Sequence, residues 1–191
     1  MKRIALVTGF LALAAPLALS QTSTWKSDPA HSEVDFSIKH MSLSNVHGRF
    51  GNVAATIVLN EADITKSTVT ATIDVGTIDT GVSSRDADLK SNSFFDVSKF
   101  PTATFTSTSV VKTGNGLTVN GNLNLHGESK PVVLTVEGPS GPVEGMDHKP
   151  HSGFSATTTL DRTAFGIGIK YGSLLLGNEV KLTIELDVVK Q

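Results

Sequence analysis

Between Glu33 and Val188 the chain alternates apolar and polar residues in eight separate runs, and no other feature limits the fold so strongly. In residues 33–39, Val34, Phe36 and Ile38 share one face while Glu33, Asp35, Ser37 and Lys39 share the other, as a half-buried strand requires. Residues 53–59 repeat this with Val53, Ala55, Ile57 and Leu59. Residues 68–75 set Val69, Ala71, Ile73 and Val75 against a threonine-rich outer face. Residues 102–111, 117–125, 132–136, 154–160 and 180–188 complete the set. Eight antiparallel strands with one apolar face leave two common architectures, a sandwich of two sheets or a closed barrel without edges.

The alternation breaks once, over residues 83–95. Ser83 and Asp86 stand in capping-box-like spacing, which predicts a helix whose first-turn amide bonds the Ser83 hydroxyl and whose positive end favours Asp86. Leu89, Phe94 and Phe95 supply its apolar side, and Pro101 returns the chain to an extended path. A helix set into a strand pattern is where function should be sought. Just before it, Asp79-Thr80-Gly81 imitates the catalytic turn of an aspartic protease. That chemistry needs two carboxylates sharing a proton, and the chain holds one such triplet, so it reads as a turn.

Composition removes several classes of function. Lys2 and Arg3 followed by the apolar residues 4–19 and by Ala18-Leu19-Ser20 predict a signal peptide over residues 1–20, a single domain over 21–191, and export to the periplasm or beyond. No integral membrane span is expected after its removal. With Lys2 and Arg3 set aside, the 16 basic and 18 acidic residues leave an acidic excess, so neither nucleic acid nor an anionic membrane is expected to be bound by charge alone. There is no cysteine, hence no disulfide and no lipid anchor on a cysteine. No phosphate loop and no nucleophile elbow occurs, and no residue is read as catalytic. His31, His40 and His47 have spacings that fit no standard metal motif, and His126, His148 and His151 are read as surface or hydrogen-bonding groups. The Gly/Pro-rich stretch 138–153 reads as a rim loop between two strands.

The apolar faces hold many small residues, among them Ala55, Ala71, Ala103, Ser107, Gly121 and Ala156. A closed interior lined this way is under-filled, and voids are costly, so an apolar guest is the natural filler. The alternative is that small residues mark places where the barrel is pinched or a helix packs closely.

A pattern of motifs now emerges. Trp25, Asp28-Pro29-Ala30-His31-Ser32, Phe36, Lys39-His40, Val46 and Gly48-Arg49-Phe50 resemble the opening of the YceI-like, polyisoprenoid-binding family. Ile78-Asp79-Thr80-Gly81, Arg85-Asp86, Leu89, Ser91, Phe94-Phe95-Asp96-Val97, Phe100-Pro101 and Thr104-Phe105 are similar to its central motif. Gly121-Asn122-Leu123, Leu125-His126-Gly127, Lys130-Pro131-Val132, Arg162 and Phe165-Gly166 extend the resemblance to the C-terminal half. It implies a lipocalin-like, eight-stranded antiparallel barrel with a helical element, exported, whose lumen takes a long isoprenoid such as a polyprenyl lipid or quinone. It implies no other cofactor. Homodimers occur in the resembled family. Asp88, Asn92-Ser93, Asn124 and Glu128 depart from its usual residues, polar exchanges that bear on headgroup preference.

On this footing the lumen is expected to be lined by Val34, Phe36, Ile38, Phe50, Ile57, Ile73, Phe105, Leu123, Leu134, Phe154 and Ile184, with Leu89, Phe94, Phe95 and Phe100 lining or plugging the helical end. Arg85, Asp86 and Arg49 are the candidates for the mouth and a polar headgroup. Their structural alternative is an ion pair or cap that holds the helix to the rim. Arg162 poses the same choice. The expected function is non-enzymatic holding of an isoprenoid or similar amphiphile for transport, storage or stress protection. Two other classes stay open: an exported enzyme with a polar cluster inside the barrel, and a partner-binding module with a filled core and an exposed apolar patch.

Overall fold

The computed structural model describes residues 22–191, so the leader expected over residues 1–20 lies outside the described part. Ten strands are found there: β1 (Thr22–Ser27), β2 (Glu33–His40), β3 (Ser44–Phe50), β4 (Val53–Asn60), β5 (Thr68–Asp74), β6 (Thr102–Thr113), β7 (Gly116–Leu125), β8 (Glu128–Glu144), β9 (Pro150–Asp161) and β10 (Leu176–Lys190). All neighbours pair antiparallel, in the order β1-β4-β5-β6-β7-β8-β9-β10-β2-β3, and β1 also pairs with β10. β2 lies along the first part of β10, with Phe36 opposite Leu182, and β1 lies along its end, with Trp25 opposite Lys190. β3 and β4 follow them in the same way, one against β2 and one against β1. Each pair is one stave bent in the middle, and the ten strands make a closed barrel of eight staves. The bend between β1 and β2 is set by Asp28, whose carboxylate accepts from the Ala30 amide at 2.9 Å and meets His31 Nδ1 at 2.7 Å.

Two of these strands carry no legible alternation. In β1 the inward positions read Ser23, Trp25 and Ser27, and the serines have local partners: Ser23 Oγ accepts from Trp25 Nε1 at 2.8 Å, and Ser27 Oγ links the Val53 carbonyl to the Ala55 amide. In β3 the inward position between Val46 and Phe50 is Gly48, where any Cβ would run into the ring of Phe36. Gly121 is similar, since a Cβ there would meet the Phe105 ring and stand 2.6 Å from the Thr106 carbonyl oxygen. At these glycines smallness serves a crossing ring and leaves no room for a guest.

Three expectations are corrected. The helix α1 covers Ser83–Lys90 only, and residues 91–100 continue as tight turns in which Phe94 donates to the Ser91 carbonyl and Phe95 to that of Leu89. Ser83 does not cap it. Val82 occupies the capping position with extended backbone, so Ser83 already lies inside the first turn and its hydroxyl makes no capping bond. Stretch 138–153 is not a rim loop, because β8 and β9 run through it as a long hairpin with register shifts around Ser140, closed by the short turn 145–149.

The interior divides along the barrel axis. One buried cluster, including Val75, Phe94, Phe105, Leu117, Leu123 and Phe165, fills the middle and the α1 end. A smaller one, Trp25, Ile57 and Val188, fills the other end.

Candidate ligand-binding cavity

Closing a sheet whose inward side chains are largely aliphatic leaves two cavities in tandem. The larger, about 520 Å³, lies beneath α1 and the turns that follow it, within the roughly 300–1,000 Å³ of ordinary ligand sites. The smaller, about 130 Å³, lies deeper toward Trp25. Val34, Ile73, Leu123, Leu160 and Leu182 face both and form a waist between them. The structure brings the expected lumen residues together. Val34, Ile73 and Leu123 stand at the waist; Phe36, Ile38, Phe50, Leu89, Phe94 and Phe95 face the larger cavity; Ile57, Phe105, Leu134, Phe154 and Ile184 face the smaller.

The roof of the larger cavity is held by ring contacts. Phe94 stacks on Tyr171 at 5.3 Å between centroids, Phe95 meets Phe50 edge-on at 5.7 Å, and Phe50 tilts against Phe36 at 5.6 Å. Each such pair contributes about 0.5–1.5 kcal/mol beyond burial. Tyr171, Ile167, Met41 and Leu175 also line it and were not read from sequence, because they sit in loops without periodicity. Met41 and Leu175 are both about half exposed, so the cavity reaches solvent beside them. Phe100, grouped in the sequence with the other aromatic residues, turns away and packs edge-on against His126 at 4.7 Å.

Four polar side chains face the larger cavity: His40, Arg85, Asp88 and Arg162. Arg85 is held by Thr80, donating from Nε to the hydroxyl at 2.7 Å and from Nη2 to the carbonyl at 2.8 Å. Thr80 is fixed in turn by Asp86, whose carboxylate accepts from its amide at 2.9 Å and its hydroxyl at 2.5 Å. Asp86 therefore does not face the cavity; it reaches back across the start of α1 and sets the 79–81 turn that aims Arg85. Arg85 makes no ion pair among the described residues; its partners are the two oxygens of Thr80, which tie α1 to the turn before it.

Arg49 is placed elsewhere. Its half-exposed side chain lies outside the barrel, 3.7 Å from Glu33 and 3.6 Å from Asp79, and its backbone exchanges hydrogen bonds with Asp79. It fastens the free edge of β3 to the turn before α1 and stands apart from the cavity.

Arg162 is buried, and its guanidinium is fully engaged. Nε donates to the Gly177 carbonyl, Nη1 to those of Ile167 and Gly168, and Nη2 to those of Tyr171 and Leu176 and to Asn178 Oδ1, all at 2.7–3.2 Å. Burial lowers its pKa from the ordinary arginine value. It offers no free donor to a ligand and instead moulds residues 167–178 into one side of the opening. Sequence reasoning could not tell this role from that of a surface arginine, because its acceptors are backbone carbonyls.

Four histidines have polar neighbours, His31 at Asp28 and His148 at Glu144 among them. His151 lies between Asp187 at 2.8 Å and Asp147 at 3.1 Å, and His126 bonds the Phe165 carbonyl at 2.9 Å. Among the described residues no group of three or more His, Asp or Glu side chains is arranged to hold a metal ion, and no helix is long and apolar enough to cross a membrane.

Comparison with known proteins agrees with this architecture. The model of the YceI-like domain matches residues 25–188. Protein YceI of Salmonella newport is 36% identical over 165 residues, covering 84% of this chain and 83% of that protein. Among solved structures, the YceI protein of Campylobacter jejuni superposes with a TM-score of 0.71 at 30% identity, covering 81% of this chain and 90% of that one. A polyisoprenoid-binding domain from Saccharophagus degradans shares the fold with a TM-score of 0.63 at 16% identity, covering 90% of this chain and 100% of that domain.

Proposed function

The chain belongs to the family of YceI-like domains, and from that membership together with the shape of its interior we propose that it is an exported, non-enzymatic carrier of a long-chain isoprenoid or similar amphiphile. The observation that carries this reading is the cavity of about 520 Å³ under α1, walled by aliphatic and aromatic side chains and set against a second apolar chamber with which it shares five wall residues. Such a space suits a flexible hydrocarbon tail. At about 25 cal/mol per Å² of apolar surface removed from water, roughly 330 Å² of buried tail supplies the free energy of a micromolar complex, before the cost of association is subtracted. The polar groups cluster at the α1 end, so the headgroup stays there while the tail runs inward. Arg85 is the group that meets it, because its guanidinium is aimed by Thr80 and, among the described residues, pairs with no carboxylate. The name of the Saccharophagus degradans domain supports an isoprenoid as the guest.

Two features support a binding role without turnover. Arg162 has spent its donors on backbone carbonyls and the Asn178 side chain, and among the described residues no serine, cysteine or threonine faces the larger cavity. Native mass spectrometry of the purified chain, followed by organic extraction, tests the proposal. A co-purified lipid released by extraction is the expected result. Repeated extraction that yields none, together with unchanged Trp25 fluorescence on adding prenyl lipids, would overturn it.

A further inference from the structure

Resting on the carrier reading, we infer that the opening of the larger cavity is a docking face for the surface of an anionic lipid bilayer. Two segments build that side of the opening, the β2–β3 turn and the loop before β10, and the Met41 amide ties them by donating to the Leu175 carbonyl at 2.8 Å. Between them they expose Leu43 and Leu174, each 79% accessible, with Ile169 at 69%. Met41 and Leu175 stand in the same rim and also line the cavity. Large apolar side chains held out in water beside the entrance of an apolar cavity are costly unless another phase covers them.

Charge indicates which phase. The chain as a whole has more acidic than basic residues, yet residues 39–48 and 163–178 contain no carboxylate. They contain Lys39, Lys170, His40 and His47 instead, all of them exposed. The Lys170 ammonium is tethered to Ser93 Oγ at 2.8 Å and lies over the Tyr171 ring, so it stands at the rim. Asp88 on α1 is the acidic group that also faces the cavity, and it shares its helix with Arg85. Apolar side chains flanked by the Lys39 and Lys170 ammonium groups match an interface whose outer layer is anionic and whose interior is hydrocarbon. The geometry also suits transfer, since a face laid on the bilayer points the cavity opening at the phase in which an isoprenoid is dissolved. A second copy of this chain is the competing occupant, but it would seal the entrance and offer the same cations to themselves.

Vesicle flotation of the full mature chain tests this, using phosphatidylglycerol-containing and pure phosphatidylcholine vesicles at low and high salt. The expected result is association with the anionic vesicles, at least tenfold weaker in the Leu43→Asp/Leu174→Asp variant and weakened by salt. Met146→Asp, a fully exposed residue on the β8–β9 hairpin at the other end of the barrel, should leave it unchanged. Unaltered melting of the rim variant shows that it folds. Absent flotation of the wild type, undiminished flotation of the rim variant, or a wild-type dimer that the rim changes turn into a monomer overturns the inference. Uptake of geranylgeraniol delivered from ethanol separates the two proposals. Rim variants should load it as wild type does, whereas failure of wild type to load it refutes the carrier reading and leaves the docking result to stand alone.

Discussion

Arg85 and Arg162 show how two arginines of one chain acquire opposite roles from their acceptors alone. Arg162 donates to five backbone carbonyls and one side-chain amide oxygen and is thereby consumed as structure. Among the described residues Arg85 bonds Thr80 alone, through Nε and Nη2, and it faces the larger cavity, where the proposed headgroup would lie. Replacing Arg85 by Gln should therefore weaken geranylgeranyl phosphate by about 1.5–3 kcal/mol, the scale of a hydrogen bond to a charged group. Binding of geranylgeraniol should be nearly unchanged. Titration of both ligands by native mass spectrometry checks this, and an equal loss for the two would show that Arg85 shapes the cavity without reading the head. Nothing in the sequence distinguishes these arginines, because what separates them is which carbonyls the fold delivers.

The β8–β9 hairpin is the element whose stability depends most plainly on pH. His151 is clamped between Asp187 and Asp147, and hydrogen bonding to these carboxylates raises its pKa above the ordinary 6.5. His31 is raised likewise by Asp28. A raised histidine contributes stability that is complete below the unfolded-state value and is lost as pH climbs through the folded-state value. Asp28 and Asp147 are lowered, so what they contribute is present above about 3.8 and lost only as pH falls through their depressed values. The melting temperature should accordingly decline as pH is raised from 6.5, and the double variant His31→Gln/His151→Gln should flatten that slope. Hydrogen exchange at residues 145–149 should quicken over the same range, and a slope unchanged in the double variant would refute the assignment. The elements differ in how far the sequence announces them. β2 and β4 to β7 are legible because apolar side chains mark most inward positions, Ser107 and Gly121 being exceptions. β1 and β3 are hidden because Ser23, Ser27 and Gly48 occupy inward positions that hydroxyl bonds and the Phe36 ring complete. α1 was legible as a break in alternation, but its boundary depends on Val82 and on the backward reach of Asp86, which are tertiary facts.

At the scale of the molecule, a chain without cysteine holds its shape by closing its sheet and by burying two clusters. The argument from small residues divides accordingly. Ala103 faces the cavity of about 520 Å³, whereas Ala71 faces the one of about 130 Å³. Ala103→Phe should therefore lower the capacity for ligand with little change in melting temperature, while Ala71→Phe should cost about 1–3 kcal/mol of stability by overpacking. Thermal melting paired with ligand stoichiometry checks both, and equal destabilisation by the two changes would mean that the larger space cannot receive a side chain.

The deeper chamber has a thermodynamic consequence of its own. Ser67 and Thr158 are the hydroxyl-bearing residues of its wall, but the surface turned to the chamber is wholly apolar, so a water molecule placed there lacks the two to four partners it needs. A chain end arriving at such a spot has no solvent to evict on the protein side. Its insertion should register in calorimetry as heat released with a negative change in heat capacity, and pressurised xenon should settle at the same point.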